Sequence, residues 1–144
     1  MQDILTQTVT VPELSFTTPF VLTASKSTTV HAFLGHFDTF FTTDGRLVPS
    51  AGTGVPLNAQ PPAALGQSEV FFTTGPQDTP THWKQTAFIL REPVAVESGD
   101  RVEGEFKCGK NPDNSRELVC EMQWRVVKGG ERVGKEGVQV WKVR

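Results

Sequence analysis

Three histidines are the first groups in this sequence to consider for chemistry, because imidazole both binds metals and carries protons near neutral pH. His31 and His36 sit on opposite faces of any strand that holds them both, and His82 belongs to a distant segment. No cysteine or carboxylate cluster joins them at zinc-site spacing, so no metal site is expected. Serines and threonines are plentiful, but none occupies a G-x-S-x-G elbow between a strand and a helix. Gly52-Thr53-Gly54 neither follows a strand nor opens a helix, so it does not read as a phosphate-binding loop, and the chain by itself is expected to bind no cofactor. What stands out is Thr74 to Thr86, TGPQDTPTHWKQT, where a loop stiffened by proline delivers His82 and Trp83 to the mouth of a strand. An indole face attracts a cation, by about 0.5–1 kcal/mol when exposed and about 2 kcal/mol when desolvated. An imidazole beside it is suited to anchoring a carboxylate from another domain. The simpler alternative has Trp83 plugging the end of a barrel and His82 merely solvated, and composition alone favours it.

The elements that would position this pair read as strands. From Leu118 to Val126, apolar Leu118, Cys120, Met122, Trp124 and Val126 alternate with Val119, Glu121, Gln123 and Arg125. Alternation of period two gives one apolar and one mostly polar face. Arg101 to Cys108 repeats the pattern, with Gly104 in one slot of the apolar face, and the turn formers from Gly109 to Ser115 join the two as a hairpin. Further strands are expected over Leu5–Val11, Phe20–Ala24, Thr28–Thr42, Glu69–Thr73, Trp83–Leu90 and Val138–Val143. The long Thr28–Thr42 run is apolar on both faces near its middle, which suits a central strand, while Gly35 inside it suggests a bulge or bend. No stretch carries a sustained apolar stripe of helical period. The expected class is all-β, a barrel or sandwich, in a single domain over residues 1–144. Asp44 to Gln67 is poor in charge and rich in proline, glycine and alanine, and is expected to be a disordered insertion.

Composition narrows the partners. With 144 residues, 14 basic and 16 acidic, the formal net charge is −2, and no basic stripe suggests nucleic acid. No apolar run approaches the roughly 18 residues of a membrane span, and MQDILTQTVT lacks the features of a secretion signal. A cytoplasmic setting is expected, with the nucleus also compatible. Cys108 and Cys120 are too few for a disulfide framework. They flank the expected turn, so a bridge between them stays open, although cytosolic thiols are held reduced. Glu97, Asp100, Glu103, Glu105, Glu117 and Glu121 cluster around the hairpin, either as a surface that steers basic substrates or as an ordinary solvated face.

THWKQT at Thr81–Thr86, preceded by TTGPQ at Thr73–Gln77, resembles the Thr-His-Trp loop of type I protein arginine methyltransferases. HAFLGHFDTFF at His31–Phe41 resembles the long barrel strand upstream of that loop, and ESGDRVEGEFKCGKNPDNSRELV at Glu97–Val119 resembles the hairpin that follows it. LSFTTPFVL at Leu14–Leu22 matches an early barrel segment. The TGPQ variant and the KNPDNSREL hairpin lean toward the type-3 branch. The resemblance covers roughly residues 3 to 126; Asp44–Gln67 is an insertion relative to the family pattern, and the tail from Lys128 matches poorly.

The resemblance implies a division of labour. A separate domain of such enzymes binds S-adenosylmethionine and supplies two glutamates that grip the substrate guanidinium. The barrel packs on that domain and forms one wall of the arginine pocket. Carried onto this sequence, His82 would pair with an acidic residue of the other domain, Trp83 would line the pocket, and Thr81 would fix the loop. The cofactor domain and the dimerisation arm would lie N-terminal to Met1. Substrates would be arginine- and glycine-rich proteins, the parent a homodimer, and the isolated chain an inactive monomer. The alternative is a stand-alone β-sandwich module that binds a peptide or a sugar through an aromatic rim.

Overall fold

A computed structural model of the chain describes residues 15–43, 70–76, 81–114 and 116–143. The expected strand Leu5–Val11 and the Asp44–Gln67 insertion lie outside the described residues. Those described form strands and no helix: β1 (Phe16–Thr23), β2 (Thr28–Gly35), β3 (Asp38–Phe41), β4 (Val70–Thr73), β5 (Thr86–Val96), β6 (Arg101–Lys110), β7 (Leu118–Lys128) and β8 (Glu131–Val143). The chain is all-β, as its alternation predicts. It divides into two compact units, one spanning Ala32–Ile89 and the other combining Gln2–His31 with Leu90–Arg144.

The second unit is built on an antiparallel sheet of order β1-β6-β7-β8. Its register lays side chains out in rows across four strands. One row runs Phe16, Cys108, Cys120, Trp141; another runs Phe20, Gly104, Trp124, Gly137. This face carries the core, with Val102, Cys120, Met122, Trp124 and Val126 all buried. The opposite face holds Lys107, Glu105, Glu103 and Arg101 of β6 against Glu121, Gln123 and Arg125 of β7.

Large and small residues alternate along the second row for a steric reason. A Cβ on Gly104 would overlap the Gln123 carbonyl oxygen and stand 2.8 Å from the tip of the Phe20 ring. A Cβ on Gly137 would overlap the Trp124 indole. The glycine in the apolar face of β6 is therefore a seat for aromatic rings rather than a gap.

Three turns fix the sheet. Between β7 and β8, Gly129 and Gly130 have φ of 56° and 91°, the left-handed pair that a two-residue hairpin with the twist of its strands requires. Between β5 and β6, the Asp100 carboxylate accepts the Glu97 N–H at 2.8 Å, and Lys128 Nζ lies 3.3 Å from it and 3.0 Å from Glu97. Contact with Glu97, and then with Asp100, raises the Lys128 ammonium above its ordinary pKa. The backbone of Ala24 donates to Asp100 O and accepts from Gly99, each at 2.8 Å, which ties in the turn that follows β1.

Between β6 and β7 the polar groups go inside. Glu117 is only 2% exposed, and its carboxylate accepts from the Asn111 side-chain amide, while the Asn111 N–H donates to Glu117 O at 2.9 Å. Lys142 Nζ of β8 lies 3.8 Å from the same carboxylate. Replacing Glu117 with alanine strands the buried Asn111 amide and leaves Lys142 without this counter-charge. The expected cost is about 1–3 kcal/mol. Denaturant unfolding measures it, and an unchanged midpoint would show that the hairpin does not depend on the carboxylate.

The first unit contains the break in the expected long strand. Thr28–Thr42 is not one strand: it is interrupted at His36 and Phe37, and β2 pairs with β5 while β3 pairs with β4. Gly35 is pressed against Phe88, where a Cβ would stand 3.0 Å from the ring. Immediately beyond it, the Thr74 hydroxyl accepts the Phe37 N–H at 3.0 Å and donates to Phe37 O at 3.1 Å. Phe37 O still accepts the Thr74 backbone N–H at 3.0 Å, but the Phe37 N–H goes to a side chain, and the regular ladder restarts at Asp38.

Candidate functional site

β3 and β4 form a short antiparallel ladder in which Thr39 faces Phe72 and Phe41 faces Val70. The ladder and the residue just before it bring three aromatic rings into one cluster. Phe41 stacks on Phe72 with centroids 6.4 Å apart, and Phe37 meets Phe72 edge-on at 6.1 Å. Trp83 completes the cluster, lying nearly parallel to Phe72 at 5.3 Å with an interplanar angle of 17°, and edge-on to Phe37 at 6.4 Å.

Trp83 does not belong to the strand that follows it. The expected strand from Trp83 starts at Thr86 instead, so His82 and Trp83 stand on the approach to β5. Hydrogen bonds around the loop hold this approach in place. The Thr81 hydroxyl donates to Trp83 O at 2.8 Å, the Gln85 side-chain amide donates to Thr74 O, and the Gly75 N–H donates to the Thr73 hydroxyl at 2.9 Å. Thr74 is itself 2% exposed. One buried threonine therefore connects the Phe37 backbone to the loop that bears the indole.

Burial bears on the two sequence readings of Trp83. A plug is enclosed, whereas 54% of the Trp83 surface is exposed. His82 is exposed as well, with its ring 6.0 Å from the indole and nearly perpendicular to it at 82°. The structure thus brings Thr81, His82 and Trp83 together as a supported, outward-facing group. Chemically, an exposed indole face can take a cation, and an imidazole can hydrogen-bond a carboxylate.

The supporting residues Phe37, Phe72 and Thr74 were not singled out by the sequence reading. Thr74 lies inside TTGPQ and Gln85 inside THWKQT, so the hydrogen bond between them joins the two motifs on either side of the loop. Phe37 and Phe72 carry no comparable signal, since each reads as one more apolar residue in a strand.

The acidic cluster around the hairpin is largely committed to internal partners. Glu103 lies 3.0 Å from Arg101 and 3.9 Å from Arg125, Glu97 and Asp100 share Lys128, and Glu117 is buried against Asn111. These four carboxylates are thus matched within the fold. Among the described residues, no three His, Cys, Asp or Glu side chains gather as a metal site.

Residues 1–129 match the family model described as the arginine methyltransferase oligomerization subdomain. A ribosomal protein arginine N-methyltransferase, rmt3, of Schizosaccharomyces pombe is 39% identical over 120 residues, which are 83% of this chain and 20% of that protein. Protein arginine N-methyltransferase 1 of Saccharomyces cerevisiae is 31% identical over 123 residues, 85% of this chain and 30% of that protein. Among solved structures, a chain of the Trypanosoma brucei PRMT1 enzyme-prozyme heterotetrameric complex with AdoHcy superposes with a TM-score of 0.69 at 29% identity, covering 95% of this chain and 36% of that one. The chain therefore spans less than a third of the length of these two curated relatives. These relationships do not favour a stand-alone peptide- or sugar-binding sandwich. On the strength of these matches and the all-β fold, the chain belongs to the protein arginine N-methyltransferase family, as a C-terminal domain.

Proposed function

We propose that this chain is the barrel portion of an S-adenosylmethionine-dependent protein arginine N-methyltransferase of type I, of the type-3-like branch, and that its Thr-His-Trp loop forms one wall of the substrate-arginine pocket. The observation that carries this reading is the state of Trp83, which is locked against Phe72 and Phe37 yet left more than half exposed. A rigid exposed indole is what a pocket wall needs, because its position is fixed before the substrate arrives and little ordering entropy remains to be lost. Methyl transfer from a sulfonium to a guanidinium nitrogen is an in-line displacement, so much of its acceleration comes from positioning. In this reading S-adenosylmethionine, held by the cofactor domain, supplies the electrophilic methyl group. Trp83 flanks the guanidinium and excludes water, His82 pairs with a carboxylate of the cofactor domain, and Thr81 holds the loop.

The donor site, the glutamates that grip the arginine and the arm that forms the parent dimer belong to other parts of such an enzyme. The chain alone is accordingly a monomer without methyltransferase activity, and arginine- and glycine-rich proteins are substrates of the cytoplasmic, or also nuclear, parent. The reading is tested by a chimaera in which this chain replaces the matched segment of the S. pombe relative. The expected result is donor-dependent methylation of an arginine- and glycine-rich peptide by the chimaera. Calorimetric titration of the isolated chain with S-adenosylmethionine is expected to give no heat of binding. A chimaera that folds and binds donor but methylates nothing would count against the pocket-wall role, and micromolar donor binding by the chain alone would refute the division of labour.

A further inference from the structure

The two cysteines of the chain take no part in the reading above, yet the sheet brings them together. Cys108 of β6 and Cys120 of β7 are direct cross-strand partners, both free thiols, with their sulfurs 3.5 Å apart. A disulfide bond is about 2.05 Å long and asks for paired Cβ atoms on neighbouring backbones, so closing this pair takes a sulfur movement of roughly 1.5 Å. The two sulfurs differ in access: Cys120 is 3% exposed, whereas Cys108 is only partly buried. Phe16 and Trp141 flank them in the same row.

We propose that Cys108 and Cys120 form an oxidisable dithiol, in which hydrogen peroxide converts Cys108 to a sulfenic acid and Cys120 resolves it to a cross-strand disulfide. In the first step the Cys108 thiolate attacks one peroxide oxygen; the O–O bond breaks, the sulfur is oxidised, and the other oxygen leaves and takes up a proton as water. In the second step the Cys120 sulfur attacks the Cys108 sulfur, the S–O bond breaks, and the leaving hydroxide takes the Cys120 proton as a second water. One peroxide is reduced and two thiols become one disulfide.

The order of events follows from the asymmetry of the pair. Burial, with added contributions from the Cys108 thiol beside it, pushes the Cys120 thiol up to about 12, so it stays protonated and waits for an electrophile within reach. The resulting bridge closes the hairpin turn that contains the buried Glu117 and Asn111. A disulfide across this turn converts a hairpin held by polar contacts into a covalent loop.

Hydrogen peroxide added to the whole chain, followed by alkylation under denaturing conditions and intact mass measurement, tests the proposal without any substitution. The expected product is a monomer that has lost two hydrogens and both titratable thiols, and that dithiothreitol restores. Cys120→Ala is expected to stop at a sulfenic acid that dimedone captures. Cys108→Ala is expected to lose its remaining thiol at least roughly tenfold more slowly, because a thiol with so raised a pKa is scarcely ionised. Addition of oxygen without loss of hydrogen in the unsubstituted chain, covalent dimers in place of the internal bridge, or equal rates for the two single variants would each overturn it.

Discussion

Trp124→Ala is expected to destabilise the chain by about 3–5 kcal/mol, the range for deleting a buried aromatic side chain. Trp124 is 7% exposed, lies over Gly137 of β8, and has the Trp141 ring 6.5 Å away. Its neighbour across the strand pair has no side chain to swing into the space, so the void persists after truncation. For a chain of this size the loss corresponds to a melting midpoint lower by roughly 10–20 °C. The complementary substitution, Gly137→Val, is expected to cost about 1–3 kcal/mol or more by forcing the indole off its seat. Thermal and denaturant unfolding of both variants check this. A Trp124→Ala midpoint within two or three degrees of the parent would mean that the sheet repacks around the loss, contrary to the row geometry.

The second large effect falls on catalysis rather than on folding. In an intact methyltransferase that carries this chain, His82→Ala is expected to lower kcat/KM roughly ten- to a hundredfold. The estimate follows from the about 1–3 kcal/mol cost of leaving a buried charged partner unpaired, at about 1.4 kcal/mol per decade of rate. Trp83→Ala is expected to do as much or more by opening the pocket to water. The same Trp83→Ala change in the isolated chain is expected to cost only about 0.5–1.5 kcal/mol, the contribution of an aromatic pair, because the ring is 54% exposed. A buried plug would instead cost about 3–5 kcal/mol. Melting of the isolated chain and turnover of the intact enzyme, measured for both variants, separate the two roles. A collapsed Trp83→Ala fold beside normal turnover in His82→Ala would defeat the functional assignment.

The parts of the fold visible in the sequence are those where one physical signal acts alone. β6 and β7 alternate cleanly between core and solvent, and both were expected within two residues of where they stand. Elsewhere local patterns are ambiguous. β8 begins at Glu131, well before the expected Val138, because Glu131, Arg132, Lys135 and Glu136 are exposed on a strand whose polar residues look like a turn. β5 runs on through Pro93 to Val96. Proline argues against a central strand, but β5 pairs with β2 in a two-stranded ladder, and an edge tolerates a missing N–H. The break at Phe37 was foreshadowed by Gly35, but the Thr74 hydroxyl that takes the Phe37 N–H there comes from a distant part of the sequence.

The candidate site shows the same division. Thr81, His82 and Trp83 can be singled out in the sequence because an adjacent pair of aromatic side chains follows a loop with two prolines. Their support was not, since the Phe72 stack exists only once β3 and β4 have paired. Nor could spacing alone say that the carboxylates near the hairpin are already matched by Arg101, Arg125 and Lys128.

The strand order of the sheet also has a consequence in time. β6, β7 and β8 are joined by successive hairpins and pair with their sequence neighbours, so their contacts close short loops, which form within about 1–10 microseconds for an isolated hairpin. β1 pairs with β6 across the entire Ala32–Ile89 unit, and closing that much chain carries a larger entropy cost before any contact rewards it. Assembly of the sheet is therefore expected to start at its C-terminal end and to finish with β1, which is synthesised well before its partner β6. Until β6 has emerged, the segment that becomes β1, with Phe16, Phe20 and Leu22, has to wait for the strand it pairs with.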